Sequence, residues 1–504
     1  MVAHINTFSF NGIETIPVDV QCQISSGMVN FSVVGLPDKS VAESRERIRA
    51  CFSSLGLSFP AKRVVVNLSP ADVFKEGSHY DLPIILCLLT QMNLLPQSEI
   101  IKYYALGEIS LDAGVIGVSG VLPSAISALG ENKGLICPKE NAEEACWAGE
   151  DLDILAVKTI TELLNHFKGM QIIGRPNFKP NLEESNNIKY PDFADIRGQE
   201  TAKRAAEIAA SGGHNLLMSG PPGSGKSMIA SRLAGILPEL EPKEILETSM
   251  IHSIAGNIKG GNLVTKRPFR SPHHNCSMPA MIGGGTRAKP GEVSLSHNGV
   301  LFLDEFPEFP RQVLDSLRQP LEAREVSISR VNSHITYPAK FQLIGAMNPC
   351  KCGYLDDAAK ACSRAPKCAN EYQAKISGPL LDRFDIYIEV SQQNAHQAFN
   401  LTNGEGSKTI KSRVLKCREF QRNRYKETDY KTNSDLQGND IEKFCITTDE
   451  AKNILQKGAE ALNLSMRGYT RVLRTARTIA DMEENEIIEK PHIAEALSFR
   501  QRNY

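Results

Sequence analysis

The chain has 504 residues, and its 57 Lys and Arg nearly balance its 58 Asp and Glu, giving a formal net charge of −1. A hydrophobic share of 41% with 23% charged residues is typical of a globular protein and excludes a disordered chain, a collagen or a coiled-coil rod. At about 150 residues per domain, this length predicts about three domains. The near-zero charge, as an average over the whole chain, argues against a nucleic-acid partner.

The most apolar stretch, residues 82–95, contains Thr90, Gln91 and Asn93 and is too short to cross a bilayer. The first ten residues lack a basic region followed by a long apolar core, so no secretion signal is expected. A cytoplasmic protein without a membrane partner is therefore predicted. Its twelve cysteines are expected to be reduced thiols.

The N-terminal region, residues 1–172, is predicted to be an α/β domain. Long runs with helical apolar spacing predict helices at 38–55 and 82–95, and shorter β-branched or alternating runs predict strands. Residues 173–192 are rich in proline and asparagine, which indicates an interdomain linker or a surface loop within one domain. The predicted strands are 18–24, 31–34, 63–68 and 104–109.

The central region, residues 193–395, alternates helix and strand again, which predicts a parallel sheet with crossover connections. The C-terminal region, residues 396–504, is predicted to be mostly helical, with a loop at 402–409. The predicted elements of the central region are a helix at 199–211 and strands at 215–219, 299–303 and 341–346. Those of the C-terminal region are a basic segment at 411–425 and helices at 447–462, 470–482 and 491–501.

A glycine-rich segment, GPPGSGKS, fits G-x-x-x-x-G-K-[ST] and lies between a predicted strand and a predicted helix at 228–237. Glycines let backbone N–H groups surround phosphate oxygens, and the helix N-terminus adds a favourable dipole. The lysine would neutralise the β- and γ-phosphates of ATP, and the last serine would bind Mg²⁺. The residues predicted to bind ATP are Gly220, Pro221, Pro222, Gly223, Ser224, Gly225, Lys226 and Ser227.

Four apolar residues run directly into Asp304 and Glu305, as in a buried strand that ends at a catalytic site. Asp304 is predicted to hold Mg²⁺ together with Ser227, and Glu305 to polarise the attacking water. Asn348 ends another apolar strand, where its amide would orient water near the γ-phosphate.

Arginines complete the predicted ATPase site. Arg383, in the segment LLDRFD, is placed to reach the γ-phosphate of a neighbouring subunit as an arginine finger. Arg467 and Arg471 begin a C-terminal helix and would contact the phosphates from a lid. For each isolated arginine, a surface ion pair is the alternative.

Residues 248–291 contain no Asp or Glu, although they carry six Lys and Arg. Such a tract would project from the ATPase core and contact DNA phosphates without reading sequence. The alternatives are a solvated loop or a contact with the N-terminal domain. A hairpin predicted at 326–337, with His334 near its tip, is a second candidate for DNA contact. The predicted DNA contacts are Lys266, Arg267, Arg270, Arg287, Lys289 and Arg330.

Cys350, Cys352, Cys362 and Cys368 lie within nineteen residues and have the spacing C-x-C-x9-C-x5-C. Four thiolates can form a tetrahedral zinc shell, but the spacing differs from the usual C-x2-C pairs. Structural zinc and free, redox-sensitive thiols are therefore both open interpretations of this cluster.

His273 and His274 are adjacent in the sequence. Adjacent residues point to opposite faces of a strand, so joint chelation of a metal is awkward, and a structural or phosphate-contacting role is favoured.

These motifs resemble the magnesium-chelatase branch of AAA+ ATPases, and more specifically the YifB/ComM family of bacterial proteins. The resemblance covers essentially the whole chain. It rests on VVGLPD at 33–38, NLSPAD at 67–72, YDLP at 80–83, FRSPHH at 269–274, GVLFLDEFPE at 299–308, LLDRFD at 380–385 and SMRGYTRVLR at 465–474.

The resemblance implies an AAA+ P-loop domain with a C-terminal helical lid and assembly into hexameric rings. ComM-like members are associated with natural transformation, as DNA helicases that drive branch migration. The family pattern implies that Asn348 is sensor 1, that Arg383 is the arginine finger and that Arg467 is sensor 2, with Arg471 as the alternative for sensor 2.

Residues 1–170 resemble the proteolytic domain of Lon, an α/β fold of the ribosomal-S5 type, which uses a Ser–Lys dyad. The nucleophile position matches His79, with Ser78 beside it, and the lysine position matches Leu122. Without a lysine to accept its proton, a serine remains a weak nucleophile. A Lon-like scaffold without protease activity is therefore predicted.

Four functions compete on the sequence alone. A DNA motor is favoured by the basic tract and the hairpin. A chelatase-like ATPase that remodels a protein partner is weakened because the chain lacks a D-x-S-x-S metal motif. A protease is disfavoured by the missing lysine. A nucleotide-gated scaffold with little turnover is disfavoured by the intact acidic residues and arginine finger.

Overall fold

The computed structural model describes residues 2–178, 190–285, 288–330, 333–353, 355, 364, 366–392 and 404–500. The predicted α/β class is confirmed, with one sheet in the N-terminal region and a second, parallel sheet in the central region. Residues 179–189 lie outside the described part, so the predicted linker at 173–192 stays a prediction, as do the domain boundaries. Among the described residues, no helix has the length and apolar character needed to span a bilayer.

The N-terminal region is built on a seven-stranded sheet. Its elements are β1 (Ala3–Asn11), β2 (Glu14–Ser25), β3 (Asn30–Val34), α1 (Lys39–Ser54), β4 (Arg63–Ser69), α2 (Asp81–Gln91), α3 (Gln97–Ile100), β5 (Tyr103–Ala105), β6 (Glu108–Ile109), β7 (Val115–Ile116), α4 (Val121–Gly130), β8 (Gly134–Pro138), α5 (Ala142–Cys146), β9 (Ile154–Val157) and α6 (Ile160–Phe167). The strand order is β3-β4-β2-β1-β5-β8-β9. Strands β1 and β2 form a long antiparallel hairpin, whereas β1-β5, β5-β8 and β8-β9 pair in parallel. Buried residues alternate along β1 and β2, and helix α2 is buried along nearly its whole length against them.

Two predictions for this region need correction. Helix α2 ends at Gln91 rather than at residue 95, because Asn93 adopts a left-handed backbone with φ 59° that stops the helix. The strand predicted at 104–109 is two strands, β5 and β6, which belong to different sheets.

The central region is built on a five-stranded sheet whose pairs are all parallel. Its elements are α7 (Glu200–Gly212), β10 (Leu216–Ser219), α8 (Lys226–Ile236), α9 (Pro242–Ala255), β11 (Phe269–Arg270), α10 (Met278–Ile282), β12 (Gly283–Gly284), β13 (Lys289–Pro290), α11 (Glu292–Leu295), β14 (Val300–Leu303), α12 (Arg311–Ser316), α13 (Arg318–Ala323), β15 (Glu325–Arg330), β16 (Ser333–Pro338), β17 (Gln342–Met347), α14 (Lys367–Gln373), α15 (Gly378–Leu381) and β18 (Ile386–Glu389). The strand order is β11-β14-β17-β10-β18.

The central strands are buried on both faces, so alternate residues enter two different cores. Leu216 and Met218 pack on the lid side of the sheet. Leu217 packs with Leu301 and Leu343 on the other side.

The predicted hairpin is formed by β15 and β16, which pair from Glu325 and Pro338 to Arg330 and Ser333. The prediction that the whole acid-free tract projects from the core is wrong in part. Its first residues complete α9, and β11 forms the edge strand beside β14. The short hairpin of β12 and β13 is the part of the tract that extends from this sheet toward β15 and β16.

The C-terminal lid is helical, as predicted, and it packs against α7 and α8. Its helices are α16 (Ser407–Arg424), α17 (Asp440–Phe444), α18 (Asp449–Ala461), α19 (Met466–Met482) and α20 (Lys490–Ser498). The longest of these, α16, is predominantly basic on its exposed face, and α19 carries an apolar face into the shared core. Residues 402 and 403 of the predicted loop lie outside the described part.

The N-terminal region contacts the central region through its α4–α5 end and through the turn between β1 and β2. Glu144 accepts a hydrogen bond from Ser253 of α9 at 2.5 Å, and the indole N–H of Trp147 donates to the carbonyl of Gly261 at 2.6 Å. Gly12 lies so close to the carbonyl of Thr336 in β16 that a Cβ would be 2.1 Å from the oxygen. The predicted DNA hairpin is therefore held from one side by the N-terminal region.

Candidate nucleotide-binding site

The phosphate-binding loop connects β10 to α8, which begins at Lys226. Gly223 and Gly225 have φ values of 75° and 93°, a left-handed backbone that glycine adopts without steric cost. Gly220 faces the carbonyl of Val390, and a Cβ there would approach that oxygen to 2.2 Å. The loop therefore needs its glycines for backbone conformation at two positions and for space at the third.

Lys226 is the first residue of α8, and its ammonium lies among acceptors of the loop. It donates to the carbonyls of Gly220 at 2.7 Å and Pro221 at 2.9 Å, and lies 3.3 Å from the hydroxyl of Ser224. Burial lowers the pKa of Lys226, although Asp304 opposes this effect. A second negative charge, such as a phosphate, would favour its charged form.

Ser227 and Asp304 come together as predicted, although 77 positions separate them in the chain. The Ser227 hydroxyl donates to Asp304 Oδ2 at 2.6 Å, and Asp304 Oδ1 accepts the N–H of Glu305 at 2.9 Å. Hydroxyl and carboxylate oxygens are the hard ligands that Mg²⁺ prefers. The residues present therefore fit a magnesium ion at the end of β14.

Glu305 follows β14 with a left-handed backbone, φ 49°, which is uncommon for a residue with a side chain. Its carboxylate lies 3.1 Å from Nδ1 of His274, which follows strand β11 beside β14. Sequence reasoning did not assign His274 to this site. Strand β11 is only the first two residues of FRSPHH, so no local pattern in the sequence indicates its pairing with β14.

Asn348 follows β17, which lies between β14 and β10 in the sheet. Its Oδ1 lies 3.3 Å from the ammonium of Lys226, 122 positions away in the chain. The two predicted groups therefore lie at the same edge of the sheet.

The structure places Arg383 at the opposite edge of the central sheet, where strands β10 and β18 begin. Arg383 precedes β18, and its carbonyl accepts a hydrogen bond at 2.9 Å from Asn215, the residue before β10. The phosphate loop follows the other end of β10, which spans about 13 Å at about 3.3 Å per residue. Arg383 therefore lies across the sheet from the nucleotide site of its own chain.

Arg467 lies beside Arg383, and both contact Glu322 of α13. Arg471 is instead held inside the chain, 2.5 Å from Asp385, and donates to the carbonyl of Arg383. The side chain of Arg467 is 64% exposed, against 15% for Arg471. Of the two predicted lid arginines, Arg467 is therefore the one whose guanidinium is accessible to a group outside the chain.

The thiol cluster lies beside the phosphate loop. Sulfur atoms of Cys350, Cys352 and Cys368 lie within 4.8 Å of one another, and Cys362 lies outside the described residues. Gly353 packs on the ring of Pro222, where a Cβ would approach Cδ to 2.6 Å. The segment after Asn348 thus connects the cysteines to the loop that would bind phosphate.

The predicted DNA contacts divide into two groups. Arg267 pairs with Glu244 at 3.1 Å and Arg270 with Glu292 at 2.6 Å, so both guanidiniums are bound within the chain. Lys289 is exposed in β13, and Lys266 lies over the ring of Tyr190. Arg287 and the side chain of Arg330 lie outside the described part.

In the N-terminal region, the hydroxyl of Ser78 donates to the carboxylate of Glu108. His79 is buried, and its Nε2 lies 2.9 Å from the carbonyl oxygen of Phe8. Burial lowers the pKa of His79 to about 4. Leu122, which the resemblance to Lon matches to the dyad lysine, is buried in α4. This arrangement provides no basic group next to Ser78 among the contacts of the described residues.

The parallel sheet, the phosphate loop and the paired acidic residues define a P-loop ATPase fold of the AAA+ class. A family profile described as "Magnesium chelatase, subunit ChlI" matches residues 192–398. Profiles described as "Subunit ChlI of Mg-chelatase" and "Magnesium chelatase, subunit ChlI C-terminal" match residues 20–141 and 404–500.

The chain is also similar to curated proteins over nearly its full length. It is 41% identical over 497 residues to the competence protein ComM of Haemophilus influenzae, covering 97% of this chain and 95% of that protein. It is 39% identical to the uncharacterized protein YifB of Escherichia coli, covering 98% and 96% of the two chains. The 38 kDa magnesium-chelatase subunit of Rhodobacter capsulatus is 27% identical over 39% of this chain and 55% of its own length. The chain belongs to the YifB/ComM family of magnesium-chelatase-related proteins.

Proposed function

We propose that this protein is an ATP-dependent DNA motor of the ComM type, a hexameric helicase that promotes branch migration in transformation or recombination. The observation that carries the proposal is the site in which Lys226, Ser227, Asp304 and Asn348 meet at one edge of the sheet. The 41% identity to a competence protein supports the DNA role. The proposed location is the cytoplasm.

In this proposal, the phosphate loop and Lys226 bind the triphosphate of ATP. Ser227 and Asp304 would hold Mg²⁺, which would supply positive charge to stabilise the phosphate during hydrolysis. Glu305 accepts a proton from the attacking water, with His274 as the partner that holds its carboxylate. Asn348 orients that water.

The proposal requires more than one copy of the chain. Arg383 and Arg467 lie about one strand length away from the phosphate loop of their own chain, on the other edge of the sheet. In a closed ring of head-to-tail copies, this edge faces the nucleotide of the next subunit. The two arginines are then an arginine finger and a sensor 2 that act across the subunit boundary.

The proposed DNA surface combines the two small hairpins. The hydroxyl of Tyr337 in β16 donates to the carbonyl of Ala288 at 3.0 Å, and Gly283 of β12 lies against Ile328 of β15. Lys289 therefore lies beside the hairpin face that carries Ile328 and Tyr337. His334, whose ring lies 3.0 Å from the Ser329 hydroxyl, is on the opposite face of the hairpin, so the proposed surface includes both faces. Arg330 and Arg287 are proposed to add to it. Cationic contacts of this kind bind phosphates independently of sequence.

ATP hydrolysis measured with and without single-stranded and branched DNA tests the proposal. We expect DNA to stimulate the wild type, and Lys226→Ala and Arg383→Ala to lose turnover. Lys289→Glu should weaken DNA binding and its salt dependence, whereas Lys102→Glu, an exposed lysine of the N-terminal region, should not. Absence of DNA binding at low salt would contradict the motor.

A chelatase-like ATPase that remodels a protein partner is the second candidate. It is favoured by the match of the chain to the magnesium-chelatase subunit profiles. ATP turnover that does not respond to any DNA, together with nucleotide-dependent capture of a protein, would favour this function over the first.

Structural zinc bound by Cys350, Cys352, Cys362 and Cys368 is part of the proposal, and the first two and the last of these lie together among the described residues. Tetrahedral Zn–S bonds of about 2.3 Å place sulfur atoms about 3.8 Å apart. The three described thiols lie within 4.8 Å of one another, and the Cys350 and Cys352 sulfurs, 3.0 Å apart, would separate slightly on binding. We expect about one zinc per chain, absent in Cys368→Ser but retained in Cys276→Ser, which changes a thiol outside the cluster. Metal analysis of the purified protein with well under one zinc in the wild type would contradict this assignment.

We also propose that the N-terminal region lacks protease activity, because the resemblance to Lon matches Leu122 to the dyad lysine, and Ser78 therefore has no lysine to accept its proton. A peptidase assay with Ser78→Ala as the control tests this point. Hydrolysis by the wild type that disappears in Ser78→Ala would contradict it.

A further inference from the structure

A cavity of about 620 Å³ opens at the edge of the central sheet where Arg383 and Arg467 lie. Among its lining residues, cationic side chains outnumber acidic ones nine to five. Most of these cations have internal partners. Asp385 binds Arg471, and Asp435 binds Arg324 with Lys340 3.7 Å away.

Glu322, near the end of α13, is the acidic residue that meets those arginines. Its Oε1 accepts a hydrogen bond from Arg383 Nη2 and lies 3.9 Å from Arg467 Nη2. The carboxylate is 58% exposed, whereas the side chain of Arg383 is only 9% exposed. Glu322 therefore reaches inward from the surface to the two groups that would contact a neighbour's nucleotide.

The arginine cluster requires an anion. Burial lowers the pKa of Arg383; Glu322 opposes this shift, and the charges of Arg467, Arg318 and Arg471 add to it. The Nε atoms of Arg383 and Arg474 are buried and have no hydrogen-bond partner among the described residues. A carboxylate that bridges two guanidiniums presents negatively charged oxygens to them, as a phosphate does.

We propose that Glu322 occupies, in the unassembled chain, the place of the γ-phosphate of a nucleotide bound by a neighbouring copy. The inference rests on the proposed ring ATPase. When a second copy docks with ATP, its phosphate displaces the carboxylate and takes over Arg383 and Arg467. Glu322 is then a positioning residue that keeps both arginines oriented and opposes ring closure until a triphosphate is present.

The same competition gives a preference for the triphosphate over the diphosphate. A γ-phosphate that reaches the two arginines replaces their ion pairs with Glu322. A diphosphate lacks the γ-phosphate and therefore leaves Glu322 in place. Because a competing internal contact lowers the population of the binding-competent form, its removal raises apparent affinity by the same factor. For a partly exposed ion pair, that factor is about three- to fivefold.

Glu322→Gln tests this role, since it removes the charge and preserves the shape. Assembly of the full-length chain is followed by sedimentation velocity over a range of protein concentrations, with ATP, with ADP and without nucleotide. We expect the variant to assemble at about three- to fivefold lower protein concentration with ATP, and to assemble measurably with ADP. Glu322→Asp, which retains the charge, should restore the wild-type dependence on nucleotide.

Glu99→Gln is the matched control, because Glu99 is a similarly exposed partner of Lys102 in the N-terminal region. Unchanged or weaker assembly of Glu322→Gln, with a melting temperature like that of the wild type, would overturn the proposal. A lower melting temperature that Glu322→Asp does not correct would also overturn it, because the contact would then be structural. If the proposed ring ATPase itself is wrong, the wild type will show neither ATP turnover nor assembly. That outcome is distinct from those that test Glu322.

Discussion

Lys226 connects two motifs that lie more than 120 positions apart in the chain. The sequence predicted the phosphate loop from its glycines and Asn348 from its place after an apolar strand. The contact between them, 3.3 Å from ammonium to amide oxygen, follows from the parallel pairing of β10 and β17. Parallel strands bring their carboxyl ends to one edge, so residues that follow them meet there.

His274 is the residue of this site that sequence reasoning missed. An adjacent histidine pair offers no spacing rule for contact with a carboxylate, and strand β11 has only two residues. The contact with Glu305 depends on the pairing of β11 with β14, which so short a strand does not reveal in the sequence.

Glu305→Gln is expected to bind ATP like the wild type and to hydrolyse it about 10²- to 10⁴-fold more slowly, because a general base contributes about that factor. Equilibrium nucleotide binding and steady-state turnover distinguish the two effects. Lys226→Ala is the contrasting variant and should lose ATP binding itself. Unimpaired turnover in Glu305→Gln would assign the base to another residue.

At the scale of elements, the acid-free tract illustrates the limit of counting charge along the chain. Its two best-placed arginines are neutralised by acids just outside its ends, Glu244 before it and Glu292 after it. The tract contains six Lys and Arg and no Asp or Glu. In the fold, however, two of these cations pair with carboxylates that flank the tract. Lys289 is exposed in β13, so the fold leaves its charge available.

The ion pair of Asp385 with Arg471 joins β18 to helix α19. Burial alone would raise the pKa of Asp385, but Arg471 and His214 hold it below its usual range. Its folded pKa is therefore depressed, so the pair stabilises the protein above the unfolded pKa of about 3.9 and loses that effect as the pH falls below it.

Asp385→Asn should lower the free energy of unfolding at pH 7 by about 3 kcal/mol, because it leaves the buried Arg471 without an anion. The difference from the wild type should shrink as the pH falls from about 5 toward about 3. Urea unfolding followed by circular dichroism at several pH values measures both effects. Asp382→Asn, three residues earlier, is the control, and an equal loss in both variants would refute the role of the ion pair.

At the scale of the whole molecule, the N-terminal region contacts the central region through polar groups. Trp147 is the one tryptophan of the chain, and its indole N–H donates to Gly261 across this contact. Gly12 meets the carbonyl of Thr336 in the proposed DNA hairpin at a distance that no side chain allows. A movement of the hairpin should therefore also displace the N-terminal region.

Gly12→Ala should loosen this contact by about 1–3 kcal/mol, the usual cost of overpacking a tight site. We expect the emission of Trp147 to shift to longer wavelength as its indole becomes hydrated. Gly56→Ala is the matched control, because Gly56 has a similar φ of 67° but no atom within 4 Å of a Cβ. Identical emission spectra of the two variants would argue that the domains stay docked without the Gly12 contact.

The amino-acid sequence was sufficient for the local features: the phosphate loop, the acidic strand end, the parallel α/β class and the hairpin at 326–337. Each depends on neighbouring residues, whose periodicity and backbone preferences are readable along the chain. It also indicated that a net charge of −1 conceals a basic segment.

Tertiary structure was needed to learn which charges remain available and which edge of the sheet each arginine occupies. Arg267, Arg270 and Arg471 have internal partners, whereas Arg383 and Arg467 share Glu322 on the edge opposite their own phosphate loop. These facts depend on contacts between residues far apart in the chain. Such contacts follow from how strands pair and helices pack, and no local pattern in the sequence encodes them.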